Sequence, residues 1–447
     1  EFYSGATGLP GRFSEGVLLR RLQSARRPED QRADAERDIS ACLGAPSIAC
    51  LLAEASESAK AIYDERRRDW VLSEILAVLS RAGLVNDAFA AAGRISDARL
   101  IVNSLRDIVV IRAGEGDLAW AASAGHLVPD PLARGKAFAA VAAGYALVGD
   151  ELAMGVSVKD VIAISAGLSD AAAAELLSDL GTALGSVQTA RARDILALAR
   201  ERAEATTGFT RDGALAAVAT GFCAAGDPQT ALAILHGLHD PVALRTVRVA
   251  LVSEAIRRDD FAGAIAFAAA IDEPRYRAVN FARIATAAAD AGDPSAATAL
   301  SRAVENAFAT DPAEGYARAN ALRAAAAAQA RSGDADAAFF TARAITDHRI
   351  RAEAAWFIAA SGYAAGSDTT IETGRTMFLA AAESIGSDID RVWTLCSAAI
   401  LSHSVGDSGS VRQILTLALR EAADTREVWG RARAFAKIAS TLVQLST

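Results

Sequence analysis

Ten helix-stopping residues punctuate the chain: Gly83, Gly116, Gly149, Gly185, Gly226, Asp259, Gly292, Gly333, Gly366 and Gly406, spaced 33 to 41 residues apart. Between them lie alanine-rich runs of helical period. The stretch from Arg211 to Pro241 is the template. One apolar run, Ala214 to Ala224, ends at Gly226. Asp227 and Pro228 restart the chain, and a second run, Ala231 to Leu238, ends at Asp240-Pro241. That is a helical hairpin, and a hairpin repeated at a period in the low thirties marks an array of stacked helix pairs. The longer intervals predict longer second helices at Arg191–Ala205, Ala296–Ala309, Thr373–Ser384 and Val411–Ala423.

The punctuation has a local cause. Glycine accepts the left-handed conformation that ends a helix. The Asp after many of the stops (Asp117, Asp150, Asp227, Asp260, Asp293, Asp334, Asp407) can accept a hydrogen bond from the free N–H groups of the next helix, and its charge suits that positive end. Pro228 and Pro294 fall at the first helical position, where a missing N–H is harmless.

Two columns of small residues run through the array. Seven places before the stop stand Ala142, Ala219, Ala285, Ala326, Ala359 and Ala399. Five places after it stand Ala88, Ala121, Ala190, Ala231, Ala264, Ala297 and Ala338. Small residues facing each other across a hairpin allow close packing. With Ala219, Phe222, Gly226 and Ala231 in place, and Tyr145 at the aromatic position of an earlier repeat, the sequence resembles the tetratricopeptide-repeat class from Arg68 to about Ala423. Elsewhere the aromatic is missing or displaced and the proline falls early, and HEAT-like hairpins stay open. The resemblance implies an all-α right-handed superhelix of about ten stacked hairpins, a TPR-like α-solenoid.

Residues 67–447 form this array, closed by a capping helix at Arg431–Leu445. Residues 1–66 form an N-terminal segment with a helical hairpin: a loose stretch from Glu1 to about Asp30 with a short helix at Val17–Ala25, then helices at Pro28–Ala41 and Cys50–Arg66. Its glycine-rich GATGLPGRF (Gly5–Phe13) lacks the GK[ST] ending of a phosphate loop. With Glu1 and not Met in first place the chain reads as trimmed or processed, so the absence of a targeting segment says nothing.

Fifteen residues before the stop, arginine recurs: Arg68, Arg134, Arg211, Arg277, Arg318, Arg351 and Arg391, with Arg245 one place out of register. A cation near a helix N-terminus opposes the helix dipole, so something must offset it. One reading is structural: each guanidinium bonds the carbonyls or the Asp that end the preceding hairpin. The other is a ladder that receives an anionic partner. Trp70, Trp356 and Trp393 follow three of these arginines early in first helices. Core packing and a peptide-binding groove are both open for them.

No catalytic residues, cofactor site or metal site are expected. His236 and His239 share a helix face but have no further ligand nearby in sequence, and no HExxH, GxSxG, CxxC or Walker pattern occurs. A net charge of −8 argues against broad nucleic-acid binding, and no run reaches a membrane span. Cys223 and Cys396 sit in apolar helical runs as core residues. Cys42 and Cys50 flank the turn signal Gly44-Ala45-Pro46-Ser47 and are candidates for a disulfide, with two buried thiols as the alternative. A disulfide implies an oxidising compartment such as the periplasm, in the bacterial cell envelope; free thiols leave the cytoplasm. The expected function is a non-enzymatic scaffold or adaptor that holds a protein or peptide on the array's concave surface. The alternatives are an α/α-toroid enzyme and a small-ligand sensor.

Overall fold

A computed structural model describes residues 39–446, which contain 23 α-helices, one short 3-10 turn and no strand. The segments expected at Val17–Ala25 and Gly5–Phe13, and most of Pro28–Ala41, lie outside the described residues. Two helices, Ser40–Gly44 and Ile48–Lys60, precede the repeats. The second ends before Arg66, and the first repeat helix starts at Glu65, where Asp64 accepts a hydrogen bond from the Arg67 N–H.

Ten helix pairs then follow in sequence. The first five are Glu65–Arg81 with Val85–Arg94, Ala98–Gly114 with Leu118–Gly125, Pro131–Val148 with Glu151–Ser165, Asp170–Leu184 with Thr189–Ala205, and Thr210–Ala224 with Pro228–Leu235. The next five are Pro241–Arg257 with Phe261–Ala269, Pro274–Asp290 with Ser295–Ala309, Tyr316–Arg331 with Ala335–Arg343, His348–Ala365 with Asp368–Glu383, and Asp388–Ser404 with Ser408–Asp424. A lone helix, Val428–Ser446, comes last. The four second helices expected to be long contain 17, 15, 16 and 17 residues, and Glu151–Ser165, not expected to be long, contains 15; the other five contain 8 to 10.

The fold divides into two compact units, chiefly Pro46–Val247 and Arg248–Thr447, and the division falls inside the helix Pro241–Arg257. Within the first unit, each first helix from Glu65–Arg81 to Asp170–Leu184 packs on its own second helix and on the first helix of the next pair. The second unit repeats that pattern by itself. Its core is lined with alanine: Ala285, Ala288, Ala299 and Ala303 surround Phe281 in one cluster, and Ala321, Ala325, Ala326 and Ala338 surround Leu322 in the next. Side chains this small let helix backbones approach, so most of the apolar contact comes from backbone and Cβ atoms.

Nine of the ten stops have positive φ, including Asp259 at 55°. At each, the following N–H reaches back to close the helix, as Asp150 does to the Tyr145 carbonyl at 3.0 Å and Asp227 to the Phe222 carbonyl at 2.8 Å. Six of the seven following Asp side chains accept a bond from a backbone N–H early in the next helix. Asp117 does not; the Arg112 guanidinium claims it at 3.1 Å. Pro294 stands one place before the helix Ser295–Ala309 rather than inside it.

Two expectations need correction. Gly185 is right-handed, with φ −53°, and its importance is closeness: a Cβ there would stand 2.7 Å from the Ala224 carbonyl carbon. The second alanine column also breaks where the next helix starts late. Ala190 and Ala297 are exposed, and Ala192 and Ala299 occupy the buried place instead.

Cys42 and Cys50 are disulfide-bonded with Cα atoms 5.9 Å apart, and Cys223 and Cys396 are buried free thiols. Burial pushes the Cys396 thiol up to about 11, so its reactive thiolate is scarce at neutral pH. Alkylation of the native protein without reductant should therefore label none of these four cysteines. Denaturation without reductant should expose only Cys223 and Cys396. Mass spectrometry that finds alkylated Cys42 or Cys50 in that second sample would remove the disulfide.

Candidate functional site

The arginine column divides by unit. In the second unit the guanidiniums bond the carbonyls that end the preceding pair. Arg277 donates to the carbonyls of Ile271 and Asp272, both at 2.8 Å, and to the Asn306 side chain at 2.7 Å. Arg318 reaches the Thr310 carbonyl, Arg351 that of Ile345, and Arg391 that of Ile385 together with the Glu421 carboxylate. Four of these carbonyls belong to buried residues where the preceding helix ends, Ile271, Thr310, Ile345 and Ile385, and the fifth to the exposed Asp272. A partial negative charge at a helix C-terminus thus offsets the poor position of the cation at its own N-terminus.

In the first unit the column behaves differently. Arg68 bonds Ser96 at 3.2 Å and pairs with Glu65, Arg211 rests 3.7 Å from Asp212, and Arg134 makes no side-chain polar contact among the described residues. The residue after the arginine takes over there. Asp69 accepts the N–H groups of Ser96 and Asp97, and Asp212 those of His239 and Asp240. These bonds hold the Asp212 carboxyl below its ordinary value. The Arg-Asp dipeptides at 68–69 and 211–212 were a sequence signal for this clasp that periodicity alone did not read. Arg112 on the Ser80 carbonyl and Arg193 on those of Ala225 and Gly226 do the same work off the column.

The tryptophans separate as well. Trp356 is buried against Phe378, ring centroids 4.6 Å apart, so it belongs to the core and cannot line a groove. Trp70 is half exposed. Trp393 and Trp429 bracket the Arg433 guanidinium at 4.9 and 4.8 Å, and the Lys437 ammonium stands 6.0 Å from the Trp393 ring.

That bracket ends a surface on first helices of the second unit which the column did not anticipate. Arg283 donates to Ser253 of the preceding first helix at 2.9 Å, and burial depresses its pKa. Arg323 stands 5.9 Å from the Phe357 ring and 3.6 Å from Glu353. Arg349 stands 5.5 Å from the Tyr316 ring and 3.4 Å from Glu353. Burial works against the Arg349 charge; the Tyr316 hydroxyl and Glu353 outweigh it and hold the guanidinium firmly protonated. Tyr316 and Phe357 stay 60% and 38% exposed. Arg283 and Arg323 lie six and five places after column arginines, and that recurrence was legible in the sequence.

A second feature of the same unit is an open cleft of about 660 Å3. Arg343, Arg351, Glu372, Thr373, Thr376 and Met377 lie on its wall. In the first unit, Leu147, Val148, Leu152 and Val156 form an exposed apolar cluster around the Gly149 turn. Among the described residues no group of three or more His, Cys, Asp or Glu side chains could hold a metal, and no helix is long and apolar enough to cross a membrane.

No protein-family model matches the chain. No curated protein sequence matches it. Among solved structures, the crystal structure of Ton1535 from Thermococcus onnurineus NA1 aligns with 73% of this chain and 98% of that chain, at 17% identity and a TM-score of 0.34. A likeness that slight carries neither fold nor function across.

Proposed function

We propose that the chain is a non-enzymatic scaffold whose helix pairs form a tetratricopeptide-like solenoid and hold a protein or peptide on the first-helix faces. The observation that supports this reading most is the run of guanidiniums set on aromatic rings, from Arg323 and Arg349 to Arg433. Arginine and large aromatics are the residues that carry most binding energy at protein interfaces. A guanidinium stacked on a ring loses little freedom when it forks onto a carboxylate, so the surface suits an extended peptide with acidic side chains. The acidic net charge of −8 means that such a partner is selected by contact rather than by long-range attraction. The packing of each helix on its neighbours supports the solenoid, because side-by-side pairs leave one face of every first helix free. The disulfide at Cys42–Cys50 supports a setting in the periplasm or another oxidising compartment.

Selection from a displayed library of random peptides tests the proposal. Acidic sequences should enrich, and Arg433→Ala, assayed well below its own melting temperature, should weaken the selected peptide about tenfold, since a charged interfacial hydrogen bond contributes about 1.5 kcal/mol or more. A library that yields no binder, or a binder indifferent to Arg433→Ala and Arg349→Ala alike, would refute it.

A further inference from the structure

The cleft beside Arg343 and Arg351 has a cause in the repeat lengths. The second helix Ala335–Arg343 has 9 residues, and the next second helix, Asp368–Glu383, has 16. At 1.5 Å per residue the longer one overshoots by about 10 Å, so part of its flank has no neighbour. The cleft opens along that flank, with Thr376, Met377 and Ala380 on its wall. Arg343, in the last turn of the short helix, makes no side-chain hydrogen bond or ion pair among the described residues. Arg351 spends its Nε on the Ile345 carbonyl at 2.7 Å, and its two terminal nitrogens have no acceptor among the described residues. Glu372 shares the same wall and forms no ion pair with either arginine. Two open cations, one open carboxylate and an apolar floor therefore meet in a space of about 660 Å3, within the range of small-molecule sites.

We propose that this cleft takes a small zwitterion of amino-acid to dipeptide size. The guanidiniums of Arg343 and Arg351 receive its carboxylate, Glu372 receives its ammonium, and an apolar side chain lies against Met377 and Ala380. Arginine suits the planar carboxylate because its fork matches two oxygens. A lone anion such as phosphate would leave Glu372 opposed, and a lone amine would leave both arginines opposed. The binding does not depend on the peptide surface of the first helices: apart from Arg351, the groups named stand on second helices.

Calorimetric titration of the full chain with four probes decides the matter: L-leucine, the dipeptide Ala-Leu, N-acetyl-leucine without the ammonium, and leucinamide without the carboxylate. Leucine or Ala-Leu should saturate one site, and whichever binds tighter sets the ligand's length. N-acetyl-leucine should bind severalfold more weakly, and leucinamide about tenfold more weakly. Arg343→Gln should weaken leucine and N-acetyl-leucine alike by about tenfold, at an unchanged melting temperature because Arg343 bonds nothing in the fold. Glu372→Gln should weaken leucine severalfold and leave N-acetyl-leucine unchanged. Absence of saturation by either zwitterion up to about 10 mM would overturn the proposal, as would equal affinity for leucine and N-acetyl-leucine or indifference to Arg343→Gln.

Discussion

Replacement of Arg277 by alanine should lower the stability of the second unit by about 2–3 kcal/mol, because three acceptors lose a charged donor together. For a unit of this size that is a fall of roughly 5–10 °C in its melting temperature. The carbonyls of Ile271 and Asp272 end one helix pair, and Asn306 ends the second helix of the next. A single guanidinium thus ties a helix start to two helix ends, and no small substitute fills that place. Arg211→Ala is the matched comparison, since its closest carboxylate is 3.7 Å away and its side chain is 41% exposed. That variant should cost well under about 1 kcal/mol, as exposed pairs do. Thermal unfolding followed by circular dichroism measures both. Were the column a ladder for a partner alone, the two variants would melt alike, at the wild-type temperature.

Gly185→Ala should cost about 3 kcal/mol, toward the upper end for overpacking, and Gly226→Ala only about 1 kcal/mol, the strain of a left-handed alanine. The order runs against their similar places in the repeat. Gly226 needs its φ of 66°. Gly185 needs no special φ; its missing Cβ is what lets the backbone of Ala224 and Ala225 come within 2.9 Å of that position. Pushing this backbone away would also disturb the Arg193 bonds to the carbonyls of Ala225 and Gly226. Chemical denaturation of the two variants side by side checks the prediction. Equal losses would return Gly185 to the role of an ordinary helix stop.

These variants mark where sequence reading stops. The helix boundaries were legible because each is decided within about six residues: a left-handed glycine, an Asp that takes the next free N–H, and the absence of an apolar period across the turn. The ten pairs, four of the five long second helices and most of the alanine lining follow from that local grammar; the 15-residue helix Glu151–Ser165 does not. The Arg-Asp dipeptides at 68–69 and 211–212 are equally local, so the clasps of Asp69 and Asp212 belong to the same grammar.

What each repeated residue does was decided elsewhere. Trp356 and Trp393 stand five and two places after column arginines, yet one is buried against Phe378 and the other stacks on Arg433. Ala190 and Ala297 occupy the expected column and are exposed, because the next helix starts late and turns a different residue inward. Arg351 obeys the column but also borders a cleft where a second helix of 9 residues lies before one of 16. Spacing within one pair fixes where a helix begins and ends. Contact with a pair some 30 to 40 residues away fixes which face is covered, and the unequal lengths of the second helices change that cover from repeat to repeat.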